Sequence, residues 1–167
     1  MALKKIRVLG DPVLREKSVP VEKIDERIKS LVKDMMDSIN SGYQPGVGLA
    51  APQIGVPKRV IVVNYGDKVE PFINPRLKIE DRSQEQEEEG CLSVPHLRAE
   101  VKRYKKVRFT AQKLDGQEVE IEGEGIIARI FQHEIDHLDG LLFIDRVDRK
   151  TKRKLMLEYN QDEQQEG

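Results

Sequence analysis

The sequence predicts an α+β fold: antiparallel strands packed around a central helix, with an N-terminal helix and a C-terminal helix. Two observations carry this expectation. Helix-period apolar patterns occur near both ends of the chain and bracket a block of short strand-like runs. Those runs follow one another without helical segments between them, which argues for antiparallel pairs rather than strand–helix–strand units.

The elements follow in order. An extended start is broken by Gly10, Pro12 and Pro20. Ile24, Ile28, Leu31, Val32, Met35, Met36 and Ile39 then recur at helical spacing, and Gly42 stops that helix. Strands are expected at 59–64 (RVIVVN), 71–75 (PFINP), 97–104 (LRAEVKRY), 106–114 (KVRFTAQKL) and 118–123 (EVEIEG). Asp115-Gly116 is a hairpin turn between the last two. The acidic run at 80–89 reads as a solvated edge or loop, apart from its last residue, Glu89. Helical periodicity returns from Ile126 to about Leu138, and a charged helix is expected from Asp148 to Tyr159. Residues 161–167 have the composition of a disordered tail to a single domain spanning 1–160.

With 167 residues and 38% apolar content the chain can bury a core without disulfides. Lys plus Arg number 29 against 30 for Asp plus Glu, so overall charge gives no reason to expect direct DNA binding or an acidic substrate. The single cysteine excludes an internal disulfide and suits a reducing compartment. The opening MALKKIRVLG lacks an apolar signal core, and no run approaches the roughly 18 apolar residues of a membrane helix, so the expected location is cytoplasmic.

The chemistry sits in FQHEIDHLDG, Phe131 to Gly140. On a helical projection Ile126, Ile127, Ile130, Phe131, His133, Glu134, His137, Leu138, Leu141 and Leu142 share one half, while Arg129, Gln132, Asp136 and Asp139 occupy the other. Ionisable groups on an apolar half are costly unless paired or bound. A metal ion removes that cost: His133 and His137, one turn apart, can share it, with Glu134 close enough to hold a water on the ion. A catalytic site needs a third protein ligand. The metzincin pattern would require histidine at 143, where this chain has Phe143. Glu158, 21 residues beyond His137, keeps a thermolysin-like site open, although it lies near the end of the chain. Cys91 in EEEGCLSVP is the better candidate, a thiolate source beside Gly90, which lets backbone approach closely. His96, after Pro95, reads as a surface residue.

Three blocks, GVGLAAPQ (46–53), EGCLS (89–93) and QHEIDHLDG (132–140), in this order and at these separations, resemble peptide deformylase over nearly the whole chain. That family removes the formyl group from the N-terminal methionine of nascent proteins. The resemblance implies a metal held by Cys91, His133 and His137, Glu134 as general base and then acid, and Gln53 with the Leu92 N–H as oxyanion donors. It also implies one divalent ion, ferrous iron in the cell, with zinc, nickel or cobalt as substitutes. Gly46, Val47 and Gly48 would line the peptide groove by their backbone, beside Gly90. Glu89 would orient a ligating histidine at the rim of the substrate site, and Ile126, Ile130 and the His133 ring would form the methionine pocket, with Arg98 closing one side. The implied partners are N-formylmethionyl nascent peptides, with no membrane. The rival readings are a zinc endopeptidase using His133, His137 and Glu158, and a binding module with a purely structural metal, in which Glu134 would have no task. One segment lies outside the three blocks: RVDRKTKRK, Arg146 to Lys154, holds six basic residues in nine and is a candidate for ribosome contact through phosphates.

Overall fold

The computed structural model describes residues 4–40 and 47–166, side chains at 65, 165 and 166 excepted. The N-terminal helix α1 spans Glu26–Ile39 and starts where the Asp25 carboxylate accepts the Ile28 N–H at 3.1 Å. Gly42, expected to stop it, lies outside the described residues. Seven strands follow: β1 (Gly48–Ala50), β2 (Val60–Tyr65), β3 (Lys68–Ile79), β4 (Gln84–Cys91), β5 (Val94–Tyr104), β6 (Lys106–Gln112) and β7 (Glu118–Glu124). Helices α2 (Ile126–Leu138) and α3 (Arg149–Glu166) complete the order.

All pairings between these strands are antiparallel. One sheet has the order β1-β2-β3-β6-β7, and β4 pairs with β5 as a separate ribbon. The run Val60–Val63 shows no polar alternation because both of its faces are covered. Val60 and Val62 join Leu31, Val32 and Met35 of α1, whereas Ile61 and Val63 join Phe72, Ala128 and Phe131 on the α2 side. There the Phe109 and Phe131 rings stack with centroids 3.9 Å apart. A third cluster joins Val94, Leu97 and Val101 of β5 to Leu142, Phe143 and Ile144, and to Leu155 and Tyr159 of α3. Helix α2 touches β1, β2, β3, β5, β6 and β7, so the central helix expected from periodicity is central in space.

Three expectations change. Residues 84–88, read as solvated edge or loop, are strand: their side chains are exposed, but the backbone pairs with 100–104. Helix α3 continues to Glu166, through the stretch read as a disordered tail, because Gln and Glu propagate a helix well once it is started. Gln132 and Asp136, assigned to the solvent half of α2, are buried at 6% and 7% exposure, because β5 and the segment after α2 cover that side. Ile126, on the supposed core half, is 75% exposed at the start of the helix.

Candidate active site and metal centre

Helix α2 presents His133 and His137 one turn apart, with ring centroids separated by 5.0 Å. Cys91 ends β4, where the pairing register slips between Gly90 and Cys91. A bulge of this kind re-aims a side chain, and the Cys91 Sγ lies 3.3 Å from His137 Nε2. Ligand atoms of Cys91, His133 and His137 all fall within 4.8 Å of one another. Glu158 is exposed on α3, and among the described residues no group including it meets this distance criterion.

The donor set, one sulfur and two imidazoles, fits a tetrahedral site for zinc or a similar divalent ion with one position left open. Protonation preferences point the same way. Burial raises the Cys91 thiol, yet the His137 and His133 imidazoles outweigh this and hold it well below its ordinary value. Burial lowers His133, but bonds to Cys91 and Glu89 carry it well above its usual range. This mutual pull between sulfur and imidazole is the pattern of groups arranged to share a cation.

Glu89 fixes the orientation of His133. Its Oε1 sits 2.9 Å from His133 Nδ1, which leaves Nε2 for an ion. The same carboxylate accepts from Arg103 Nε at 2.9 Å, Arg103 Nη2 at 3.0 Å and Arg129 Nη1 at 2.6 Å. Burial alone would raise Glu89, but His133 and Arg103 hold it far below the carboxylate range. Arg103 also donates to Asp136 Oδ2 at 2.6 Å, and Arg146 grips Asp136 with bonds of 3.0 and 2.8 Å. A chain of alternating charge thus runs from Arg146 to His133.

Glu134 is 3% exposed, and its Oε1 has no hydrogen-bond partner. Burial pushes this carboxyl above its ordinary value, against the pull of the two imidazoles. Gly48 makes room for it: a Cβ there would stand 2.6 Å from Glu134 Oε2. Gln53 follows β1 in a short helical turn, Ala51–Ile54. Its Oε1 accepts the Ala50 N–H at 2.9 Å, and its Nε2 donates to Ser93 Oγ at 3.1 Å and towards Cys91 Sγ at 3.7 Å.

A cavity of about 600 Å³ opens over these groups. Val47, Gly48, Gln53, His133 and Glu134 line it, as do Glu89, Gly90, Cys91 and Leu92 from the β4–β5 ribbon. Ile126 and Ile130 line it from α2, and Arg98 packs over Gly90 while pairing with Glu88 at 2.5 Å. Of the residues singled out in the sequence, Gly46 lies outside the described residues, and His137 is buried behind the cavity at 1% exposure. His96 is exposed, at φ 71°, on the cavity rim.

Sequence reasoning missed Arg103, Arg129, Asp136 and Ser93. For Arg103 a signal was present: strand alternation places it on the face of Leu97 and Val101, where an unpaired cation could not stay. Arg129 and Asp136 carry none, because helical projection alone places them on the solvent half.

Residues 3–153 match the family model of polypeptide deformylase. A peptide deformylase of Natranaerobius thermophilus is 50% identical over 89% of this chain and 94% of its own. One from Dictyoglomus thermophilum is 46% identical, over 89% and 95% respectively. The crystal structure of a peptide deformylase from Legionella pneumophila superposes with a TM-score of 0.89 at 36% identity, covering 99% of this chain and 98% of that one. The chain belongs to the peptide deformylase family, metal-dependent hydrolases that remove the N-formyl group from N-terminal methionine.

Proposed function

We propose that Glu134 carries the protons of this deformylation, beside one divalent ion held by Cys91, His133 and His137, ferrous iron in the cell. The observation that carries the reading is the Glu134 carboxylate, buried with one oxygen unpartnered beside three convergent ligands. When bound, the ion supplies Lewis acidity and makes water a nucleophile at neutral pH. Glu134 takes the proton of the attacking water and later gives it to the departing amine, which releases formate and a free N-terminus. Negative charge grows on the formyl oxygen as the carbonyl is attacked. The Gln53 Nε2–H and the Leu92 N–H meet that charge with fixed dipoles, and losing one such donor typically costs about 10²–10³ in rate.

The substrate is an N-formylmethionyl peptide. Ile126, Ile130 and the His133 ring offer the methionine side chain an apolar wall. Among the described residues β1 ends its sheet and β4 pairs only with β5, so the cavity touches two strands with an edge that no other described strand occupies. An extended peptide can add its backbone bonds at such edges.

The setting is the cytoplasm, close to the ribosome. No helix among the described residues is long and apolar enough to cross a membrane. Within Arg146 to Lys154, Arg146 is engaged by Asp136 and Lys152 by Asp145, whereas Arg149, Lys150, Arg153 and Lys154 are exposed. Those four supply the candidate phosphate contacts.

The test of the reaction is formate release from formyl-Met-Ala-Ser, set against cleavage of the unblocked peptide. Release from the first without cleavage of the second is expected; internal cleavage of both would return the endopeptidase. Co-sedimentation with ribosomes at low salt, lost at moderate salt and in the variant with Arg149, Lys150, Arg153 and Lys154 changed to Gln, tests the location. Equal sedimentation of both proteins would remove it.

A further inference from the structure

The Gln53 amide is buried at 2% exposure and could be built either way round; its surroundings allow only one. Oε1 faces the Ala50 N–H at 2.9 Å, a donor. Nε2 faces Ser93 Oγ at 3.1 Å, and Ser93 is fully buried. One N–H of the amide is therefore taken up by the serine. The other is directed to Cys91 Sγ at 3.7 Å, a long contact that a nearby oxyanion can replace.

The Gln53–Ser93 pair joins residues 40 apart in sequence, one after β1 and one between β4 and β5. A third segment holds their backbones together. The Arg7 N–H donates to Gln53 O at 2.7 Å, and the Leu9 N–H donates to Ser93 O at 2.7 Å. Two amides two residues apart on the N-terminal segment thus grip the main chain of the two residues whose side chains meet. The segment is anchored beyond this point: the Ser18 N–H donates to Leu138 O at 2.8 Å at the end of α2. Arg15 Nη1 donates to Gly140 O at 3.2 Å.

We propose that Ser93, backed by the Arg7 and Leu9 amides, is a positioning residue that fixes the Gln53 amide so that its second N–H, the one facing Cys91 Sγ, reaches the reacting carbonyl. The proposal rests on the assignment of Gln53 as an oxyanion donor. Without the serine, the Ala50 N–H still selects which end of the amide is oxygen, but the nitrogen end loses its anchor and is held only by the long Cys91 Sγ contact. Its donor is then aligned in only part of the molecules, and the cost falls on the transition state, where the charge is greatest.

The test is a double-mutant cycle on formyl-Met-Ala-Ser hydrolysis with Ser93→Ala and Gln53→Leu, metal content being measured for each variant. Gln53→Leu alone should lower kcat by about 10²-fold. Ser93→Ala alone should lower kcat by roughly tenfold with KM within about twofold, and should add nothing in the Gln53→Leu background. Independent, multiplying losses, or a loss confined to KM, would overturn the role of Ser93. An unchanged kcat in Gln53→Leu would instead overturn the oxyanion assignment beneath it. Should Ser93→Ala fail to fold, Arg7→Pro, which lacks the donating amide, takes its place in the cycle. Arg7→Ala, which keeps that amide, is its control and should restore kcat; an equal loss in both would contradict the clasp.

Discussion

Two arginines on strands successive in the chain but in different sheets, Arg103 of β5 and Arg108 of β6, each gather carboxylates from other elements, yet they do different work. Arg103 is 4% exposed, and its guanidinium bridges Glu89 and Asp136, themselves buried at 6% and 7%. Arg108 is 37% exposed and meets Glu80, Glu120 and Glu122, all open to water. Its Nε stands 3.0 Å from Glu80 Oε1 without the alignment of a hydrogen bond. An exposed pair gains little over its hydrated state, whereas removing one member of a buried set leaves uncompensated charge. Burial, not the number of contacts, decides the weight of an ion cluster, and the buried one leads to His133, one of the three residues that could hold a metal.

The comparison can be broken from either end. Arg103→Met should destabilise the fold by about 3–5 kcal/mol, because Glu89 and Asp136 would lose their shared cation, and it should weaken metal retention as His133 is released. Chemical denaturation with metal titration checks both; a loss below about 1 kcal/mol would place this cluster with the exposed one. Glu89→Gln is a gentler probe of the same path. It keeps the shape and removes the charge, so metal affinity should fall about 10- to 100-fold, read by competition with a chelator.

Asp145 lies between the two extremes, 14% exposed, and bonded to Arg15, Lys152 and the Leu142 N–H. Burial raises it, but the Arg15 and Leu142 bonds outweigh that and lower it to about 2. A lowered carboxylate contributes stability above its unfolded value, and this is lost as pH falls from about 4 towards 2. Arg15 and Lys152 are each 42% exposed, so screening reduces the contribution. Asp145→Asn should cost about 1 kcal/mol at pH 7, and its denaturation curves should converge with wild type as pH drops through that window. A constant gap would contradict the assignment. The smallest effect belongs to Arg108→Gln, which should leave the thermal midpoint and activity unchanged.

What the sequence made legible follows the same division. Helix α2 and its two histidines stood out because polar groups at helical spacing on an apolar half demand a partner. Cys91 is favoured over Glu158 as the third candidate ligand by its glycine neighbour and by the chain-end surroundings of the rival, and the bulge at Gly90–Cys91 gives that preference a geometry. Strand β4 was not legible as strand: Gln84–Glu88 carries no apolar alternation, and its pairing depends on β5 beside it. Asp136 and Gln132 were misplaced because a helical wheel knows only one neighbour, whereas α2 is covered on several sides. Buried charge clusters of this kind are assembled from distant segments, so single-residue periodicity does not reveal their partners.

The most direct test of the account is Glu134→Ala, assayed for formate release from formyl-Met-Ala-Ser with metal content measured on the same sample. Glu134 is assigned to proton transfer and not to the ligand set. The account therefore expects a folded protein with one bound ion and a kcat lowered by at least about 10²–10⁴-fold. Full loss of the ion from a folded variant, or turnover close to wild type with the ion in place, would contradict it.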